Sequence, residues 1–127
     1  MDSHIDYKNN ANHTILSKVF KGDVFADDIL ASWEKVISDG MITKTHKGVI
    51  SDLRGAKLHS NKEDIHKLSN FILDNKQFFN GIKLAIIMDS KEIVYPMIFK
   101  MEHNLVDLEC FNTREAAEKW LLKTSAI

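Results

Sequence analysis

The sequence predicts an α/β fold: a mixed, mostly parallel sheet of four to five strands with helices, in the order β-β-α-β-α-β-α-β-α. Three observations predict it. Short apolar or alternating runs at residues 4–8, 13–20, 48–53, 82–88 and 105–111 have strand length, and from the second onward they are separated by stretches with helical spacing. The first two runs lie close enough for a hairpin, whereas the later ones need crossovers, which implies parallel pairing with right-handed connections. The chain has 127 residues and a 44% hydrophobic composition, enough for one packed core and too little for two, so residues 1–127 are expected to form a single domain.

Residues 4–8 alternate, with Ile5 and Tyr7 on one side, and Asn9, Asn10 and Asn12 then supply turn chemistry because Asn tolerates left-handed backbone angles. The strand at 13–20, ending by Gly22, completes an antiparallel hairpin. Over 27–38 the apolar residues Ile29, Leu30, Trp33, Val36 and Ile37 recur at three- and four-residue spacing. Asp27 and Asp28 sit in the first turn of this helix, and Gly40 lies just beyond its end. The strand at 48–53 finishes at Asp52-Leu53-Arg54-Gly55, and a short loop leads to a helix opened by Ser60. Ser60 and Glu63 have the spacing of a capping box, and Ile65, Leu68 and Ile72, with Phe71 beside them, form its core stripe.

After a loop at 75–81, residues 82–88 are the most continuously apolar strand, which places it at the centre of the sheet. Residues 90–95 read as a loop and Pro96 as the first position of a helix running to about His103; the alternative is a helix from Ser90 strained by an internal proline. In the run 105–111, Val106, Leu108 and Cys110 face one way and Asp107 and Glu109 the other, so this strand should have a wet face and lie near an edge. Asn112 and Glu115 suggest a capping box for the last helix, which docks through Ala117, Trp120 and Leu121 and carries Arg114/Glu118 and Glu115/Lys119 at i,i+4 spacing. Crossovers that all run in one direction would collect the helices on one face. The other face must then be wet, covered by loops or buried against another molecule.

Composition excludes several classes. Lys and Arg (17) balance Asp and Glu (18), which leaves no basic stripe for nucleic acid. The lone cysteine, Cys110, rules out an intrachain disulfide and a cysteine-cluster metal site and fits a reducing cytoplasm; on the apolar side of its strand it reads as a small core residue. The first residues lack a continuous apolar core of signal-peptide type, and no apolar run approaches the roughly 20 residues that span a bilayer. A soluble, cytoplasmic protein is expected. The six histidines have no recognised ligand spacing, and GxSxG, P-loop and GxGxxG motifs are absent, so neither a metal, a cofactor nor a catalytic constellation is expected.

Several short segments together resemble a known family: the hairpin ending Phe20-x-Gly22, Asp27-Asp28-Ile29, Asp52-Leu53-Arg54-Gly55, the run from Ala85 to Ser90, and Phe111-x-Thr113-x-Glu115-Ala116-Ala117-x-x-Trp120-Leu121. Taken over almost the full length, the chain resembles the SpoIIAA-like proteins, small bacterial domains related in fold to the STAS domains of anti-sigma-factor antagonists. The resemblance implies a mixed sheet of four to five strands backed by helices, and a non-enzymatic role in protein interaction or small-ligand binding. Antagonists of this type carry a phosphorylatable serine in an Asp-Ser-Ser/Thr-Gly motif after the strand that corresponds to 48–53. Here Leu53, Arg54 and Gly55 follow Asp52, and the first hydroxyl is Ser60.

Each candidate residue has a chemical and a plain reading. Ser60 is either a phosphosite, favoured by the free amides and dipole of a helix N-terminus, or a simple N-cap. Asp52 and Asp89, near the ends of adjacent strands, could hold Mg²⁺ or receive a phosphoryl group, or else cap loops and pair with Arg54. The dense apolar stretch 93–101, with Tyr95, Met97 and Phe99, is either core or the lining of a pocket. The resemblance, with the absence of a catalytic constellation, implies a non-catalytic, STAS-like module that works by protein contact, a homodimer being one form this reading allows. Its surface would comprise Asp52, Arg54, Ser60, Asp89, Ser90, Tyr95, Met97 and Phe99. The alternative is a small-molecule or lipid binder with an apolar pocket between the sheet and the Pro96 helix.

Overall fold

One asparagine builds the first turn. The Asn10 side-chain oxygen accepts the backbone N–H groups of Thr14 (2.8 Å) and Ile15 (3.0 Å), its amide donates to the Thr14 hydroxyl, and His13 between them takes a φ of 53°. This closes β1 (His4–Asn9) onto β2 (Ile15–Val24) in antiparallel register, with Tyr7 opposite Lys18. The structure, a computed structural model, describes residues 4–59, 61–89 and 106–123. Its further elements are α1 (Ala26–Ser38), β3 (Gly48–Leu58), α2 (Lys62–Asp74), α3 (Lys76–Phe79), β4 (Lys83–Ile87), β5 (Asp107–Phe111) and α4 (Arg114–Leu122). The five strands lie in sequence order, β2 to β5 all parallel, which is the mixed, mostly parallel α/β sheet that the periodicities predict.

α1 and α2 cover one face. Trp33, Val36, Ile65, Leu68 and Ile72 pack there on Leu16, Phe20, Val49, Leu53, Leu84 and Ile86. The crossovers through α1 and α2 add strands in the same direction, so both helices fall on this side. α4 then turns back over the opposite face, seating Ala117 and Leu121 on Ile15, Ile50, Ala85 and Ile87. Gly48 permits that seat, because a Cβ there would collide with a Leu121 methyl and the Lys83 carbonyl. Over β1 and β2 the second face remains an open groove of about 400 Å³ whose lining includes Lys8, Ser17, Arg114 and Glu118.

Several boundaries differ from the sequence reading. β4 is not the centre; β3 is, and β4 lies between β3 and the edge strand β5. A continuous apolar run reports that both faces are covered, here by α1 and α2 on one side and α4 on the other, and not rank in the strand order. β5 is an edge strand with Asp107 and Glu109 exposed, although Phe111 on the same side packs on Trp120 at 5.6 Å. The expected 75–81 loop contains α3, one helical turn that delivers Phe79 to the core beside Trp33.

Both caps move on by one residue, and only the first remains a capping box. α2 is capped by Asn61, not Ser60: the Asp64 N–H donates to Asn61 Oδ1 (2.9 Å), and the Asp64 carboxylate accepts the Asn61 N–H (3.2 Å). α4 is capped by Thr113, whose hydroxyl accepts the Ala116 N–H (3.2 Å), not by Asn112. The 90–95 loop and the Pro96 helix lie outside the described residues.

Candidate functional site

β2 and β3 are long, ten and eleven residues, but their neighbours are short. Among the described residues β1 pairs with β2 as far as Lys21, and β4 pairs with β3 from Gly48 to Asp52. Among these residues the ends of β2 and β3, Gly22 to Val24 beside Ala56 to Leu58, pair only with each other and form a two-stranded arm whose Val24 and Leu58 reach the core. The sequence reading ends this strand in Asp52-Leu53-Arg54-Gly55 and places a loop after it, whereas β3 runs on to Leu58. The cause is a β-bulge. Val19 lies opposite Asp52 and Lys21 opposite Gly55, so Leu53 and Arg54 together face Phe20.

The bulge sets the charges at the root of the arm. Arg54 doubles back on Asp52, donating from Nε to Oδ1 (3.0 Å), from Nη2 to Oδ2 (2.8 Å), and from its backbone N–H to Oδ1 (3.1 Å). From α4, Arg114 comes within 3.9 Å of the same carboxylate, donates to Ser17 Oγ (3.0 Å) and lies 3.5 Å from Glu118. Burial works to raise the Asp52 carboxyl, but the hydrogen bonds from Arg54 and the charges of Arg54 and Arg114 outweigh it and hold the group below the ordinary carboxylate range. Asp89 is exposed, and its charge is one of the influences that keep Arg54 protonated, after the hydrogen bond Arg54 donates to Asp52. Asp52 is thus bound by guanidinium and not held open with Asp89 as a metal or phosphoryl site. Among the described residues no three His, Cys, Asp or Glu side chains gather to hold a metal. What the arrangement does offer is two guanidinium groups, 38% and 36% exposed, able to donate to an acidic partner group.

At the tip of the arm stands a cluster that the sequence reading missed. Phe25, 51% exposed at the start of α1, stacks on His59 with ring centroids 4.6 Å apart and planes 13° from parallel. His59 Nε2 lies 2.9 Å from Asp23 Oδ1, and this hydrogen bond lowers the Asp23 carboxyl. The one local signal is an aromatic residue directly before the helix-opening Ala26-Asp27-Asp28.

Lys18 was missed as well. It is 0% exposed, beneath α1, where Nζ donates to Ser32 Oγ (3.0 Å) and lies 3.3 Å from the centre of the Trp33 ring. Burial pushes its ammonium well below the usual lysine range. Its only trace in the sequence is a charge in the apolar run ILSKVF.

Of the other expected site residues, Ser60, Ser90, Tyr95, Met97 and Phe99 lie outside the described residues. An apolar cavity between the sheet and α1 and α2, bounded by Phe20, Trp33, Leu53, Leu68, Leu84 and Ile86 among others, measures about 50 Å³. That is far below the roughly 300–1,000 Å³ of a small-ligand site. Cys110 packs half-buried against the same core. No helix among the described residues is long and apolar enough to cross a membrane.

The sheet order, the two helices on one face and the returning last helix define a SpoIIAA-like, STAS-like fold. Two solved structures share it. One is an uncharacterised protein of the DUF3478 family with a SpoIIAA-like fold from Shewanella loihica PV-4. It matches with a TM-score of 0.59 at 15% identity, over 94% of this chain and 93% of that one. The other, an anti-sigma factor antagonist from Mycobacterium paratuberculosis, has a TM-score of 0.62 at 10% identity, over 94% of each chain. At these identities the likeness is one of fold. No protein-family model and no curated protein matches the chain.

Proposed function

We propose that this chain is a single-domain, non-catalytic regulatory module that acts by binding another protein, and that the β2–β3 arm is its contact surface. The observation that carries the reading is the exposed Phe25 stacked on His59 at the tip, with Arg54 at the root. Aromatic residues and arginine dominate the energetics of protein interfaces, and a rigid, stacked ring loses little entropy when it is covered. The fold shared with an anti-sigma factor antagonist supports the same role. The order of residues along the arm gives the partner a chemistry: an apolar pocket for Phe25 beside a carboxylate for Arg54.

The test is cross-linking of the protein in its native cells, followed by mass spectrometry of the adducts, for the wild type and for Phe25→Ala and Arg54→Glu. A partner recovered with the wild type should fall about tenfold or more with either variant, since truncating a central anchor costs 2 kcal/mol or more. Phe25 is 51% exposed, so Phe25→Ala should keep the wild-type thermal unfolding curve; Arg54→Glu sets a second carboxylate beside the buried Asp52 and should lower the midpoint, so its recovery is compared at a temperature where it remains folded. Equal recovery from all three proteins would remove the arm from the interface.

A further inference from the structure

β1 is an edge strand, and among the described residues its outer side pairs with nothing. Three backbone hydrogen bonds fix which of its groups point outward. The carbonyls of Thr14 and Val24 accept from Lys47 (2.7 Å) and His59 (2.8 Å), so the even-numbered residues of β2 turn toward β3. The Asn10 N–H donates to Ile15 (3.1 Å), so the odd-numbered residues turn toward β1. Hydrogen-bonded pairs in an antiparallel ladder recur every second residue. Lys8, Asp6 and His4 therefore spend their backbone groups on β2, while Ile5, Tyr7 and Asn9 each present an N–H and a C=O to the outside. The side chains also alternate. Asp6 and Lys8 are exposed on the α4 face, and Ile5 and Tyr7 lie half-buried on the α1 face.

We infer that β1 is where a second copy of this chain binds, strand to strand and antiparallel, about a two-fold axis through Tyr7. In that register Tyr7 meets its twin and Ile5 meets the partner's Asn9, so all the outward backbone groups are used and two sheets become one. On the other face Asp6 stands opposite the partner's Lys8, and Lys8 opposite the partner's Asp6, at the closer, non-hydrogen-bonded positions. In the single chain, among the described residues, Asp6 makes an exposed contact with His4 (2.9 Å). Slipping by two residues keeps the backbone phase but sets Asp6 against Asp6 in one direction and Lys8 against Lys8 in the other. Charge thus selects the register. The opposite edge lacks this property. β5 carries Asp107 and Glu109 on one face, so pairing about Leu108 would oppose acid to acid.

The inference does not depend on what the arm binds, and its test uses the full chain without any partner protein. Sedimentation equilibrium should show a monomer–dimer equilibrium for the wild type. Asp6→Lys or Lys8→Asp alone puts like charges at both symmetry-related positions and should weaken the dimer about tenfold or more. An equimolar mixture of the two variants restores opposite charges at every position and should dimerise as the wild type does, as should the Asp6→Lys/Lys8→Asp double variant. Both residues are exposed, so thermal unfolding of each variant should match the wild type and separate lost pairing from lost folding. A wild type that sediments as a monomer would overturn the inference. Single variants that dimerise normally, or a mixture that stays monomeric, would do the same.

Discussion

Two charged residues sit one step apart in the middle of the sheet and point through opposite faces. Lys18 on β2 lies opposite Ser51 on β3, and Asp52 is the next residue along; they are 0% and 6% exposed. On the α4 face, Asp52 draws a forked pair of hydrogen bonds from Arg54 and the charge of Arg114. On the α1 face, Lys18 has a serine hydroxyl and the face of an indole. Across the backbone from it, Tyr7 faces it from β1 and Ser51 from β3, and the Tyr7 hydroxyl is itself shifted upward, chiefly by burial. The same burial therefore has two outcomes. Where counter-ions reach the buried group its charge is held and stabilises the fold; where a helix seals it among apolar side chains, burial works against the charge.

The contrast can be broken most severely at Trp33. Trp33→Ala should lower the free energy of unfolding by about 3–5 kcal/mol in urea titrations, since the ring is buried against Phe79 as well as over Lys18. In a Lys18→Met background the loss should shrink by the amine–ring contact, about 0.5–1 kcal/mol for an N–H group over the indole face. Next in size, Asp52→Asn should cost about 2 kcal/mol at neutral pH. The Asp52 carboxyl titrates lower in the folded chain than unfolded, so its contribution is complete above the ordinary carboxylate range and is lost as pH falls through the folded value. Wild-type and variant urea midpoints should accordingly converge in strong acid.

The smallest effect has the opposite sign. Lys18→Met should raise stability at neutral pH by about 1–2 kcal/mol, because it replaces a buried amine with an apolar side chain of similar volume. The folded Lys18 titrates below its unfolded value of about 10.4, so between the two the unfolded chain binds more protons and wild-type stability climbs with pH. The advantage of the methionine should therefore fade as pH approaches that value, which chemical denaturation from neutral to alkaline pH would follow.

Periodicity exposes the described elements because it is a property of neighbouring residues, and the hairpin, α1, α2, β4 and β5 are all visible in it. Boundaries are harder where two residues compete. Ser60 and Asn61 both have cap chemistry with an acid three residues on, as Asn112 and Thr113 both have a polar side chain next to a helix start, and the choice falls to where the chain leaves its preceding strand. The end of β3 is misread because a bulge breaks alternation just as a turn would. The Asp52–Arg54 pair is readable, since i and i+2 on a strand share a face. The Phe25, His59 and Asp23 cluster is not, because His59 and Asp23 are 36 residues apart and meet only through the parallel pairing of β2 and β3.

The bulge also makes Arg54 a supernumerary residue. With Val19 opposite Asp52 and Lys21 opposite Gly55, a chain lacking Arg54 would run straight from Leu53 to Gly55, with Leu53, Ala56 and Leu58 still turned to the helices. The guanidinium that neutralises Asp52 is therefore grafted onto a ladder that closes without it. Excising this one residue separates the electrostatics of the arm from its architecture, a division that few positions inside a strand permit.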